Sequence, residues 1–371
     1  MKHFDVIVLG GGINGLCTAY HLLRRGASVA VLEQFELGHR RGSSHGKSRI
    51  TRSSYTSPKY VELIQIAHQQ EWPRLSHDAG RELLKPTPGC FFGPGVGVYR
   101  ESLEAVPGAE QLFRVLQVEE ARKVFPQFRF PDSDTVLHDL SCSVVAAEET
   151  MNFLARWVAQ RATVVERCRV ERLAPRADGI HLYTLAETYS CDRLAVTAGA
   201  WMGSLVSATA SKLQVAHQHV GYFATQGEEG FPVWVYSPLE GESFYGLPSF
   251  GRPGVKVARH RTGLAGEDPD RDLEEEMPTA ARADLEAFIR HQFKNPATLV
   301  GYEPCLYTNT ATEDYLLAHH PADQRIVLGS ACSGHGFKFA PLTGRILAEL
   351  LLDGRCELDL WQKYQTAFAL S

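Results

Sequence analysis

Apolar residues along this chain occur in two forms: short unbroken runs and longer stretches of helical periodicity. "FDVIVLGGGINGLCTAYHLLRRGASVAVLEQ" predicts a buried strand over Val6 to Leu9, a glycine turn, an amphipathic helix to about Arg25, and a second strand ending at Glu33. Residues 42–55 are polar and glycine-punctuated, and "KYVELIQIAHQQEWPRL" after them reads as helix. From about Pro86 to Cys142 the pattern changes to Pro/Gly turns and short β-rich pieces. A helix over 149–161, a strand over 163–165 and an apolar strand running into Gly199 follow. Strands then dominate 215–260, and an acidic helical region covers 270–293. The C-terminus returns to strand ("RIVLGSA"), glycine turn ("SGHG") and helix ("PLTGRILAELLLDG"). Nucleotide-type elements at both ends with β-rich pieces between them predict an α/β chain with a discontinuous nucleotide domain. Segments 1–85, 150–212 and 302–371 form that domain in this reading, and 86–149 and 213–301 form a β-rich substrate domain.

A length of 371 residues suits two joined domains and a large core. The 38 basic and 43 acidic residues nearly cancel, to a net charge of −5. No basic run is long enough to suggest nucleic acid or an anionic membrane. No apolar stretch reaches the ~18 residues of a membrane span, and a strand begins where a signal peptide would sit, so a cytoplasmic protein is expected. Eight cysteines lie scattered without C-x-x-C spacing, which argues against a zinc site and a disulfide framework and fits a reducing compartment.

Gly10, Gly12 and Gly15 occupy G-x-G-x-x-G between the first strand and helix. The first allows the tight turn, the second lets a pyrophosphate approach the backbone, and the third lets helix and strand pack closely. Glu33, at the end of the second strand, stands where a carboxylate accepts ribose hydroxyls. Spacing alone does not separate FAD from NAD. If 45–52 were helical, His45, Arg49 and Arg52 would share one face, suited to a carboxylate or phosphate or simply to solvent. In "GVKVARH" strand alternation puts Lys256, Ala258 and His260 on one face. Phe244, Tyr245 and Phe250 could wall an apolar pocket or fill core.

Five ordered motifs make the chain resemble the monomeric sarcosine oxidase family of flavoprotein amine oxidases, which includes N-methyltryptophan and pipecolate oxidases. They are "GGGINGL", "RGSSHGKSRITR", "YGLPSFGRPGVKVARH", "CLYTNTATEDYLL" and "GSACSGHGFKFAPLTG". The resemblance implies a Rossmann-like FAD-binding domain with a β-rich substrate domain, as in glutathione reductase and D-amino-acid oxidase. It implies FAD bound covalently through a thioether from Cys305, with Ser43, Ser44, Gly199, Gly334, Gly336, Phe337 and Lys338 against the cofactor. Arg52 and Lys338 match the pair that holds the substrate carboxylate. Arg49 and His45 match residues lining the flavin, and Lys256 the lysine linked to oxygen activation. His260, Tyr307 and Tyr245 match the walls of the substrate site. Lys47 departs from the family, which carries an acid or amide there.

The implied activity is oxidation of a small secondary amino acid, an N-methyl or cyclic imino acid, to an imine with O₂ reduced to hydrogen peroxide, by a monomer. "SSHGKSRI" resembles the pipecolate version more than the sarcosine version. The rival readings are a dehydrogenase that passes electrons to a quinone or carrier protein, and a catalytically silent flavin-binding protein.

Overall fold

The computed structural model describes residues 2–132, 135–260 and 266–370. Two large sheets organise them. In the first, Lys2–Leu9 lies between Val29–Leu32 and Thr188–Val196, parallel to both. Thr163–Val165 extends this parallel array past Val29–Leu32, and Asp323–Ser330 joins it on the other side beside Thr188–Val196. The runs "VIVL" and "VAVL" are buried at every position because helices cover the parallel sheet. Helix Ile13–Arg24 packs against the C-terminal helix Ala340–Asp353. Gly344 permits that approach, since a Cβ there would lie 2.6 Å from the Cys17 backbone.

The second sheet has eight strands in the order Ala297–Asn309, Gln214–Thr225, Val255–Arg259, Phe244–Leu247, Val233–Tyr236, Gly89–Phe92, Val136–Asp139 and Phe113–Leu116. It is antiparallel except where Val233–Tyr236 meets Gly89–Phe92. Helix Thr279–Gln292 covers its outer face, where Phe92, Phe128, Trp234, Phe288 and Phe293 form an aromatic core. The inner face looks toward the nucleotide sheet. Strand Ala297–Asn309 pairs with Gln214–Thr225 from end to end, so the expected domain junction at residue 302 falls inside one strand.

Several local expectations change. Residues 45–52 are not helical: Ser48–Thr51 is a strand, paired antiparallel with Ser143–Ala146. β-branched Ile50 and Thr51 suit that pleat, and the i, i+4 face drawn for His45, Arg49 and Arg52 does not exist. The stretch 86–142, expected as β pieces, also holds helices Gly97–Glu104 and Val118–Val124. Helix in the acidic region is confined to Thr279–Gln292. Phe244 stacks on Phe288 with centroids 4.2 Å apart, on the face opposite Tyr245, so the two do not share a pocket wall. All eight cysteines are free, and no described helix is long and apolar enough to cross a membrane.

Candidate active site

One cavity of about 1260 Å³ runs from the glycine turn to the inner face of the second sheet. At the turn, Gly10 has φ +105°, and a Cβ on it would meet the Thr197 carbonyl oxygen at 2.5 Å. A Cβ on Gly15 would strike the Gly10 carbonyl oxygen at 1.8 Å. Both positions therefore require glycine. Gly12, at the N-terminus of helix Ile13–Arg24, leaves space that opens toward Ser44, whose hydroxyl accepts the Ile13 N–H at 3.0 Å. Glu33 receives the N–H groups of Gly11 at 2.7 Å and Phe35 at 2.9 Å, which fixes its carboxylate beside the turn with lone pairs to spare. Gly199, with φ +52°, lines the same end of the cavity.

The middle of the cavity is cationic. Arg49 donates to the carbonyl oxygens of Ser48 and Ser43, each at 2.8 Å, and lies over the Phe337 ring at 5.5 Å. Ser43 in turn bonds the Leu306 carbonyl. Lys256 is buried and donates to the Ser48 carbonyl oxygen at 3.1 Å. Burial, with Arg49 close by, pushes its ammonium down to about 7. His45 binds the Pro304 carbonyl oxygen through Nε2 at 2.9 Å, so that nitrogen carries the proton. Burial and the Arg49 charge lower its pKa to about 4, leaving it neutral. Cys305 lies in the same wall, its thiol raised by burial to about 11 against the opposing pull of Arg49 and Lys256.

At the far end stand two more basic side chains. Arg52 lies 4.2 Å over the ring of Tyr55, 5.5 Å from Phe91 and 5.7 Å from Tyr99, and its Nη1 is buried without a partner. Lys338 is buried and donates to the His335 carbonyl oxygen at 3.0 Å. Burial, then Arg52, holds its pKa well below the ordinary lysine range. The buried carboxylate of Asp139 does not answer them. It is occupied by the N–H groups of Ser53, Ser54 and Ser141 and the hydroxyls of Ser54 and Ser141. Beside this end, the hydroxyls of Tyr245 and Tyr307 are 3.1 Å apart. His260 packs on Tyr307 and lies 3.9 Å from Glu313. Gly334 leaves room for this group: a Cβ there would fall 2.4 Å from both His260 and Tyr307. Gly336 is similarly constrained, since a Cβ there would lie 1.8 Å from the Ala331 carbonyl oxygen.

The residues of the nucleotide motif and those implied by the family resemblance all line this one cavity except Gly15, which packs beneath the turn; Phe244 and Phe250, offered as possible pocket walls, do not line it. Tyr55 and Glu303 were not named. An isolated acid within a strand gives no spacing signal, although Glu303 shares the parity of Cys305 and so its face of the strand. Lys47, the departure from the family, bonds Glu148 at 2.5 Å on the cavity rim.

A strand–glycine–helix cradle opening into so long a cavity defines a dinucleotide-binding protein of the doubly-wound type. Residues 5–350 match the FAD dependent oxidoreductase (DAO) family, and the chain belongs to it. It is 33% identical to the peroxisomal sarcosine oxidase of Homo sapiens, over 96% of this chain and 94% of that one. It is 31% identical to the monomeric sarcosine oxidase of Streptomyces avermitilis, over 95% and 94% respectively. In fold it is similar to NikD, an unusual amino acid oxidase essential for nikkomycin biosynthesis, with a TM-score of 0.83 and 20% identity over 100% of this chain and 98% of that one. The glycine cradle, the free capacity of Glu33 and the cavity reaching Cys305 fit FAD.

Proposed function

We propose that this FAD-dependent oxidoreductase oxidises a small secondary amino acid, an N-methyl or cyclic imino acid, to its imine while O₂ becomes hydrogen peroxide. One observation carries the reading: the buried Arg52 Nη1 has no partner, Lys338, its pKa lowered by burial and then by Arg52, lies in the same wall, and among the described residues neither has a carboxylate partner, so that an anion bound there would restore the lysine's charge. Unpaired buried charge is costly, so such a pair implies an anionic ligand small enough for both, and an amino acid carboxylate has that shape. Bound FAD supplies the two-electron acceptor and passes the electrons to O₂.

The remaining roles follow from position. Arg52 and Lys338 hold the carboxylate; Tyr245, Tyr307 and His260 wall the reacting carbon and nitrogen. The surrounding positive charge lowers the pKa of the substrate ammonium, so the amine sheds its proton on binding without a dedicated base. Lys256 stands ready to stabilise the negative charge that develops when O₂ is reduced. Cys305 is proposed as the thioether anchor of the flavin; its thiol lines the cavity without a disulfide partner. The test is a peroxide-coupled screen of N-methyl and cyclic amino acids with the purified protein. Turnover with peroxide is expected. Dye reduction without peroxide would make the chain a dehydrogenase, and no reaction with any member would reject the proposal.

A further inference from the structure

Glu303 is an acid placed among bases. It lies on strand Ala297–Asn309, two residues before Cys305, is 7% exposed, and lines the cavity. Its Oε2 accepts the Tyr222 hydroxyl at 2.7 Å and its Oε1 meets Arg40 at 3.2 Å. Arg40 has a side chain 71% exposed, so water screens it and it is a weak counter-ion. Room for the carboxylate is built in: a Cβ on Gly46, whose φ is +95°, would lie 2.9 Å from Oε2.

Lys256 is the group that needs this charge. Arg49 faces it from strand Ser48–Thr51, Arg252 from the turn before its own strand, Tyr222 from the neighbouring strand Gln214–Thr225, and Glu303 and Cys305 from strand Ala297–Asn309. The neighbour across Phe244–Leu247 is the apolar Leu247. Two guanidiniums oppose the ammonium and one carboxylate supports it; Lys256 lies 6.0 Å from the Tyr222 ring, whose hydroxyl donates to Glu303. His45, also beside Glu303, is neutral and adds no charge.

We propose that Glu303 is a positioning residue whose buried carboxylate, held by Tyr222, is the counter-charge that keeps Lys256 cationic at neutral pH. The catalytic consequence rests on the proposed function, because only an oxygen-reducing site needs that cation. The charge relation does not. It can be read in the substrate-free holoenzyme by following the lysine side-chain ¹³C resonances through a pH titration, the Lys256 signal being identified by its loss in Lys256→Met. Removing a nearby opposite charge shifts such a midpoint by about one pH unit or more, so Glu303→Gln is expected to lower the Lys256 midpoint at least tenfold in proton affinity. The pH at which the reduced enzyme's reaction with O₂ changes should move with it. A purely structural role would alter rates at every pH and leave the midpoint in place. Should Glu303→Gln not fold, Glu303→Asp and Tyr222→Phe, which keep the charge but loosen its position, are expected to lower the midpoint by a smaller amount. A Lys256 midpoint equal to wild type in the folded variants overturns the assignment and leaves the proposed reaction to its own peroxide test.

Discussion

If Arg52 and Lys338 hold one carboxylate, as proposed, loss of either should weaken its binding. Removing one partner of a desolvated, hydrogen-bonded charge pair costs about 2–5 kcal/mol, and Arg52→Ala or Lys338→Met is therefore expected to weaken binding of substrate and of carboxylate inhibitors at least tenfold. Titration of the flavin absorbance with a non-oxidisable carboxylic acid checks this; wild-type affinity in both variants would place the carboxylate elsewhere. If Cys305 anchors the flavin, flavin should remain with the acid-precipitated wild-type polypeptide and be extracted from Cys305→Ala. Extractable flavin in the wild type would contradict it. These residues were legible as members of motifs, since Cys305 has no spacing partner that would single it out among eight cysteines. Tyr55 and Glu303 were not legible, because an aromatic over a guanidinium and an acid among bases are relations in space between distant segments.

Glycine placement decides how closely elements approach. In helix Ala340–Asp353 an alanine at 344 would gain about 1 kcal/mol of helix propensity. Its Cβ would also lie 2.6 Å from the Cys17 backbone and 2.8 Å from the Thr18 nitrogen, and neither can rotate away. Overpacking of this kind costs about 1–3 kcal/mol, so Gly344→Ala is expected to be net destabilising by thermal melting, against the propensity trend. An unchanged or raised melting temperature would show that the two helices part freely. The first strand, glycine turn and helix were legible because apolar run, glycines and helical period agree. For 45–52 the sequence offered only a conditional helix face from charged residues four apart, because the partner that makes Ser48–Thr51 a strand, Ser143–Ala146, lies almost a hundred residues away.

Two large sheets flank one cavity into which buried Lys256 and Lys338 project. The discontinuous nucleotide sheet could be anticipated from unbroken apolar runs at both ends of the chain, but the parallel pairing of Val233–Tyr236 with Gly89–Phe92 has no local signature. Buried histidines make stability depend on pH. Burial lowers His21 to about 3 and His45 and His68 to about 4, below the ordinary value of 6.5. Their folded pKa values are depressed, so below pH 6.5 the unfolded chain takes up protons that the fold refuses. Each site then costs about 1.4 kcal/mol per pH unit until its folded value is reached. The melting temperature should fall steeply from pH 6.5 toward 4, and His68→Gln should flatten the slope; a temperature constant across that range would contradict the burial. The proposed reaction oxidises an amine anchored by its carboxylate. Its most direct measurement compares peroxide formation from one cyclic or N-methyl amino acid with that from the carboxamide of the same compound. The acid should turn over, with a kcat/KM at least about tenfold lower for the amide, which offers no charge to Arg52 and Lys338. Equal turnover of acid and amide, or peroxide from neither, would contradict it.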